Sequence, residues 1–412
     1  YLSQTLGVEA IWLSPIFMSP KADWGYDVSD YCAIDPEYGT MADFKNLLLE
    51  AHKRDIKVML DLVPNHTSDQ HKWFQESRSS RDNPKRDWYV WRDPKPNGDP
   101  PNNWVSISGG GSWTLDETTG QYYLHSFTAV QPDLNWDNPE VRVAMQDVLH
   151  FWFKRGVDGF RVDAVWPLSK DPSFADEHAL PDRLASSTEF FDIVHDKCKN
   201  GPNLRQYLQA LTDVVALYPD RFMIFEYYPD PAAGESNAQY YDIQTVNSAV
   251  ASSFYFEGMH APWQAAFYKE NLGAYYKDLP KGVQAVMCFG NHDQSRVATR
   301  IGHDQARALA VMQMTLPGLP TMYYGEELGM TDVYIEPSDR LDGFSETAAM
   351  GSRDAERTPM QWDETAQAGF STAAKTWLPM SPDHQERTVS QQQNDERSFL
   401  SLYRQLLKLR ST

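Results

Sequence analysis

Short apolar runs alternate with longer amphipathic stretches along most of this chain. The runs fall at residues 10–13, 58–63, 159–162, 222–225, 284–289 and 321–324, with a further one at 254–256. They are apolar on both faces, the pattern of strands in a parallel sheet covered by helices on each side. Helical spacing follows or precedes them at 41–54, 141–154, 204–217, 304–314 and 398–409. Strand–helix alternation over this length predicts a parallel α/β fold.

Polar residues gather just after the strands: Ser14-Pro15, Pro64-Asn65-His66, Asp163, Glu226, Asn291-His292-Asp293 and Glu326-Glu327. In a (β/α)8 barrel the carboxyl ends of the strands are where chemistry sits. The alternation breaks between 67 and 137. That stretch is rich in Pro, Gly, Asn and Asp, yet many Trp and Tyr are embedded in it, so it reads as an inserted folded unit and not as a linker. A second insertion-like stretch runs from 331 to 382. The expected division is barrel 1–66, insertion 67–137 and barrel 138–412.

Composition narrows the function. The 412 residues carry a formal net charge of −20, which repels phosphate backbones and anionic membranes. Neither nucleic acid nor membrane is an expected partner. The 13 Trp and 21 Tyr suit stacking on sugar faces, although such rings also fill cores. Three cysteines without close spacing, Cys32, Cys198 and Cys288, argue against a disulfide framework or a zinc site. There is no signal-like amino terminus and no apolar run of about 18 residues, so the expected location is the cytoplasm. The chain starts at Tyr1 with no Met, which leaves an upstream segment open.

The chemical signal is a set of acids at different strand ends. Glycoside hydrolysis needs one carboxyl as nucleophile or base and one as acid, and a third can favour the oxocarbenium-like ring. Asp163 follows Arg161 by two residues on one strand, so both side chains face the same way, and the cation is expected to keep Asp163 ionised. Glu226 lies between Phe225 and Tyr227-Tyr228, an apolar setting that is expected to raise its pKa as a general acid requires. Asp293 sits beside His292; a helix N-cap is its structural alternative.

Asp61-Leu62-Val63-Pro64-Asn65-His66, Gly159-Phe160-Arg161-Val162-Asp163-Ala164, Phe225-Glu226, Gly290-Asn291-His292-Asp293 and Gln131-Pro132-Asp133-Leu134-Asn135 resemble the signature regions of the α-amylase superfamily, glycoside hydrolase family 13. They fall in the family's order across almost the whole chain. Gly25-Tyr26-Asp27-Val28-Ser29-Asp30-Tyr31 and Arg357-Thr358-Pro359-Met360-Gln361-Trp362 resemble its α-glucosidase, oligo-1,6-glucosidase and trehalose-synthase branch. The resemblance implies a TIM barrel with an inserted domain B. It implies that Asp163 is the nucleophile, Glu226 the acid/base and Asp293 the transition-state stabiliser. Arg161, His66, His292 and Gln131 are then polar residues around the sugar, and Tyr26 is the aromatic platform below it. Asp23 and Arg357 are the pair that grips the 4-hydroxyl of a terminal glucose, with Arg353 near enough for the same role.

The same resemblance implies a strand ahead of the helix ending near Leu6, an Asp-rich calcium or magnesium loop, and a carboxyl-terminal β-domain. None of these is found in the chain. The expectation is therefore a barrel without its first strand, with no metal site and no required cofactor. Ala164, after the nucleophile, implies α-1,4, α-1,1 or sucrose-like substrates. Substrates are expected to be short α-glucosides. Two other readings stay open: a transglucosidase or isomerase with the same triad, and a non-catalytic scaffold of the same fold. The retained carboxylates oppose the scaffold.

Overall fold

The structure is a computed structural model that describes residues 1–181, 183–184, 187–229, 235, 249–342 and 352–411. Its centre is a seven-stranded sheet: β1 (Ala10–Leu13), β2 (Lys57–Leu62), β3 (Gly159–Val162), β4 (Phe222–Phe225), β5 (Ala251–Tyr255), β6 (Val286–Cys288) and β7 (Leu319–Thr321). The strands pair in chain order and all pairs are parallel. Parallel neighbours need crossover connections, and helices supply them. Among the described residues these are α1 (Met41–His52), α2 (Pro139–Phe153), α3 (Leu204–Val215), α4 (Ala265–Asp278) and α5 (His303–Thr315), and α6 (Phe399–Arg410) follows the last strand. Together they form a curled, barrel-type β/α sheet. Among the described residues β1 and β7 each pair on one side only, as expected for a barrel lacking one strand.

Local signals account for most boundaries. Thr40 and Asp43 form a reciprocal capping box at the start of α1, and Asn138 caps α2 ahead of Pro139. Helix α4 is not predicted by the sequence pattern. Its buried face is Tyr268, Leu272 and Tyr275, a stripe too rich in tyrosine to read as apolar. The run at 321–324 is also not the strand itself, which lies at Leu319–Thr321. Arg296 Nη1 donates to the Tyr324 carbonyl at 2.7 Å, so that carbonyl leaves the ladder.

The sheet ends pack so tightly that side-chain size matters at Gly159. A Cβ there would lie 2.2 Å from the Phe222 carbonyl oxygen of the neighbouring strand. Gly159→Ala is expected to destabilise the fold by about 1–3 kcal/mol through overpacking. A lowered urea midpoint at unchanged slope is the check.

The insertion forms a three-stranded antiparallel sheet of Trp91–Arg92, Gln121–Leu124 and Trp113–Asp116, preceded by a helix at Lys72–Ser79. Val90, Trp104, Trp113 and Leu124 make its core. This unit is not confined to 67–137, because the excursion after β3 completes it. Phe174 stacks on Trp104 at 5.2 Å, and Trp104 Nε1 donates to the Ala175 carbonyl at 2.9 Å.

Candidate active site

Each acid predicted at a strand end is placed there by its strand. The amide of Asp163 donates to the Leu62 carbonyl at 2.8 Å, and that of Glu226 donates to the Val162 carbonyl at 2.9 Å. The last residues of β2, β3 and β4 are thus in register, and their side chains meet above the sheet. Beyond Asp163 the chain turns sharply: Ala164 has φ +37°, a left-handed conformation that few non-glycine residues adopt. The turn aims its amide at Glu226 Oε2, 3.0 Å away.

Arg161 is the hub. Its Nη1 lies 2.7 Å from Asp163 Oδ1 and 2.9 Å from Asp61 Oδ1, and its Nη2 lies 2.6 Å from Glu226 Oε2. All four side chains are buried. Asp61, the first residue of the Asp61–His66 motif, accepts from Trp12 Nε1 and from the Tyr26 hydroxyl, each at 3.0 Å, and so ties Arg161 to the Tyr26 ring.

The electrostatics correct one expectation. The position of Arg161 on the strand predicts an ionised Asp163. Instead burial pushes the Asp163 carboxyl well above the usual range. Arg161 opposes this, while the charges of Glu226 and Asp61 and a hydrogen bond with Glu226 add to it. One guanidinium is shared among three carboxyls, so it does not offset the desolvation of all of them.

Asp293 shows the opposite balance. Burial works against its charge, but His292, Arg353 and Arg357 hold the carboxyl well below the usual range. His292 is itself kept neutral by burial, down to about 3, so near neutral pH the two arginines carry this effect. Arg353 Nη1 and Arg357 Nη2 both donate to Asp293 Oδ1, at 3.1 and 3.0 Å.

The grip on Asp23 differs from expectation. Its ion pair is made by Arg353, Nη2 to Oδ1 at 2.7 Å, and not by Arg357. Arg357 instead turns to the His292 carbonyl, 2.8 Å from Nε, and to Asp293. Both arginines fit the spacing of the motif, and only the path of the backbone after Ser352 separates them.

The remaining predicted residues surround these groups. Tyr26 stacks parallel to His292 at 5.5 Å, and its hydroxyl lies 2.8 Å from His292 Nε2. Gln131, from the insertion, donates to Asp23 Oδ2 at 2.9 Å and lies 3.2 Å from His66 Nε2. Burial holds His66 neutral, down to about 4. The insertion therefore packs a polar side chain directly against the Asp23 and His66 side of the cluster.

Cation-binding capacity can be read from the donors present. Lys170 Nζ sits 2.8 Å from Asp133 Oδ2 and 3.3 Å from Asn65 Oδ1, so the chain's own ammonium neutralises this junction of insertion and barrel. Among the described residues, Glu177, His195 and Cys198 also cluster. The Glu177 oxygens already accept the amides of Asp196, Lys197 and Cys198 at 3.0, 2.9 and 2.7 Å, which makes it a loop staple.

Buried acids, neutral histidines and arginines at the strand ends of a barrel-type β/α sheet are the equipment that a glycosidase uses. Over residues 1–412 the chain matches the family described as the alpha amylase catalytic domain, and it belongs to that family. It is 38% identical over 449 residues to an oligo-1,6-glucosidase of Parageobacillus thermoglucosidasius, covering 100% of this chain and 77% of the relative. It is 37% identical to an alpha-glucosidase of Culex pipiens, covering 98% and 68%. The crystal structure of an alpha-glucosyl transfer enzyme superposes with a TM-score of 0.92 at 37% identity, covering 99% of this chain and 77% of that one. Among the described residues no helix is long and apolar enough to cross a membrane.

Proposed function

We propose that the chain is a retaining, exo-acting α-glucosidase that removes terminal α-linked glucose, with an α-1,4 preference, from short glucosides. The observation that carries this reading is the sharing of one guanidinium by Asp163 and Glu226, at 2.7 Å from Nη1 and 2.6 Å from Nη2. Retaining pairs stand about 5–5.5 Å apart, whereas inverting pairs leave about 6.5–9.5 Å for a water molecule. Two carboxyls held on the two ends of one guanidinium belong to the close class.

In this reading Asp163 attacks the anomeric carbon and forms a β-glucosyl ester as Glu226 protonates the departing oxygen. Glu226 then takes a proton from water, whose oxygen attacks the ester carbon and restores the α configuration while Asp163 leaves. The pair needs one proton between its two carboxyls, carried by Glu226 as the leaving oxygen departs. Asp293, kept ionised by its arginines, accepts from sugar hydroxyls. Asp23 and Arg353 close the far end against longer chains, hence exo action.

Similarity to an alpha-glucosyl transfer enzyme supports a second reading, in which a sugar hydroxyl replaces water. Incubation with maltose, isomaltose, sucrose, trehalose and nitrophenyl α-glucoside separates the two. Free α-glucose, fastest from maltose, is expected. Oligosaccharides or isomerised disaccharide as the main product would establish transfer, and no turnover of any of the five would remove both readings.

A further inference from the structure

We infer that Asp342 is a positioning residue that fixes the guanidinium of Arg353 and thereby sets how the site recognises the 4-hydroxyl of a terminal glucose. The inference rests on the reading of the Asp23–Arg353 pair as the end wall of the pocket. It adds a residue outside the signature motifs.

The geometry is a two-point clamp. Arg353 Nε and Nη2 donate to Asp342 Oδ2 and Oδ1, each at 2.8 Å, in the parallel fork that pairs a guanidinium with a carboxylate most firmly. The backbone amide of Arg353 adds a third bond to Asp342 Oδ2 at 2.8 Å. The Asp342 side chain is fully buried. Its own backbone is held from below: Asp354 Oδ2 accepts the amides of Leu341 and Asp342 at 2.7 and 3.1 Å, and the Ser352 hydroxyl at 3.1 Å. With one edge of the guanidinium pinned in this way, Nη2 also reaches Asp23 at 2.7 Å and Nη1 reaches Asp293 at 3.1 Å.

The two recipients do not depend on Arg353 equally. Asp293 is also held by Arg357, which is anchored independently on the His292 carbonyl. Asp23 has Arg353 as its ion-pair partner, and Gln131 supplies a neutral bond. Loosening Arg353 should therefore act chiefly at Asp23, the 4-hydroxyl end, and less at the reacting carbon.

The test is titration calorimetry of the full chain with glucose and with 4-deoxyglucose, beside KM and kcat on nitrophenyl α-glucoside. Asp342→Asn keeps the size but replaces one of two acceptor oxygens by an N–H₂ group facing Arg353 donors. It is expected to weaken glucose binding and raise KM about ten-fold, the scale of one charged hydrogen bond, with kcat changed far less. Binding of 4-deoxyglucose should be unchanged, a discrimination that general loosening of the fold would not produce. Asp342→Glu, which keeps the charge, is expected to fall between. Unchanged glucose affinity in Asp342→Asn, or equal losses for both sugars in both variants, would overturn the inference. Absence of turnover by the parent chain would instead remove the glucosidase reading, and the sugar titrations would still decide the role of Asp342.

Discussion

Asp163→Asn is expected to lower kcat/KM on nitrophenyl α-glucoside by on the order of 10⁴-fold or more, while the chain stays folded. The amide cannot form the glucosyl ester, and no neighbour is poised to replace it. Glu226 is held on the other nitrogen of Arg161 and by the Ala164 amide, and Asp61 is tied to Trp12 and Tyr26. Small external nucleophiles distinguish this cause from general damage. Azide added to an Asp163→Gly variant should attack from the vacated face and yield β-glucosyl azide. A variant retaining a tenth of parental activity would exclude Asp163 as nucleophile. The parent enzyme should show the matching pH signature. Asp163 must be ionised to attack, and its carboxyl is pushed well above the usual range. Activity is lost as pH falls through that raised value, so the acidic limb of kcat/KM should lie above the ordinary carboxylate range.

Arg161→Met should have the largest effect on stability, about 3–5 kcal/mol near pH 8, with complete loss of activity. Methionine fills similar space and leaves Asp61, Asp163 and Glu226 buried around no cation. Stacking of the guanidinium on Trp12, 4.9 Å from the ring centre, is lost as well. Without the cation, the carboxyls of Asp61 and Asp163 in the folded variant rise further above their unfolded values. Folding then takes up protons, so the penalty is full at high pH and shrinks as pH falls. Urea unfolding of parent and variant at pH 5 and pH 8 measures this. A difference below about 1 kcal/mol at pH 8, or one that grows toward pH 5, would contradict the argument.

Much of the site was legible in the chain because its geometry is local. Arg161 and Asp163 are two residues apart on one strand, so they share a face whatever surrounds them. The strand ends themselves were marked by apolar runs stopping at polar residues. Where reasoning missed, the cause was a contact made at long sequence distance. Arg353 and Arg357 are indistinguishable by motif, and the choice between them is made by Asp342 and Asp23, the latter 330 residues from Arg353. Asp342 and Lys170 carry no pattern at all. Phe174, in the excursion after β3, is a lone aromatic until the fold lays it on Trp104.

The opposite electrostatics of Asp163 and Asp293 show the same limit. Both are acids beside a basic residue in the chain, and both are buried. Their opposite shifts depend on how many cations face each carboxyl, and that number belongs to the assembled site. One arginine serves Asp61, Asp163 and Glu226, whereas two serve Asp293.

The amino-acid sequence by itself determined the parallel β/α architecture, the strand ends where the acids stand, and the family, because periodicity and short motifs are properties of neighbouring residues. The tertiary structure alone decided which arginine grips Asp23, in which direction burial and charge push Asp163 and Asp293, and which loop completes the insertion. Those follow from desolvation and from contacts between segments that only folding brings together.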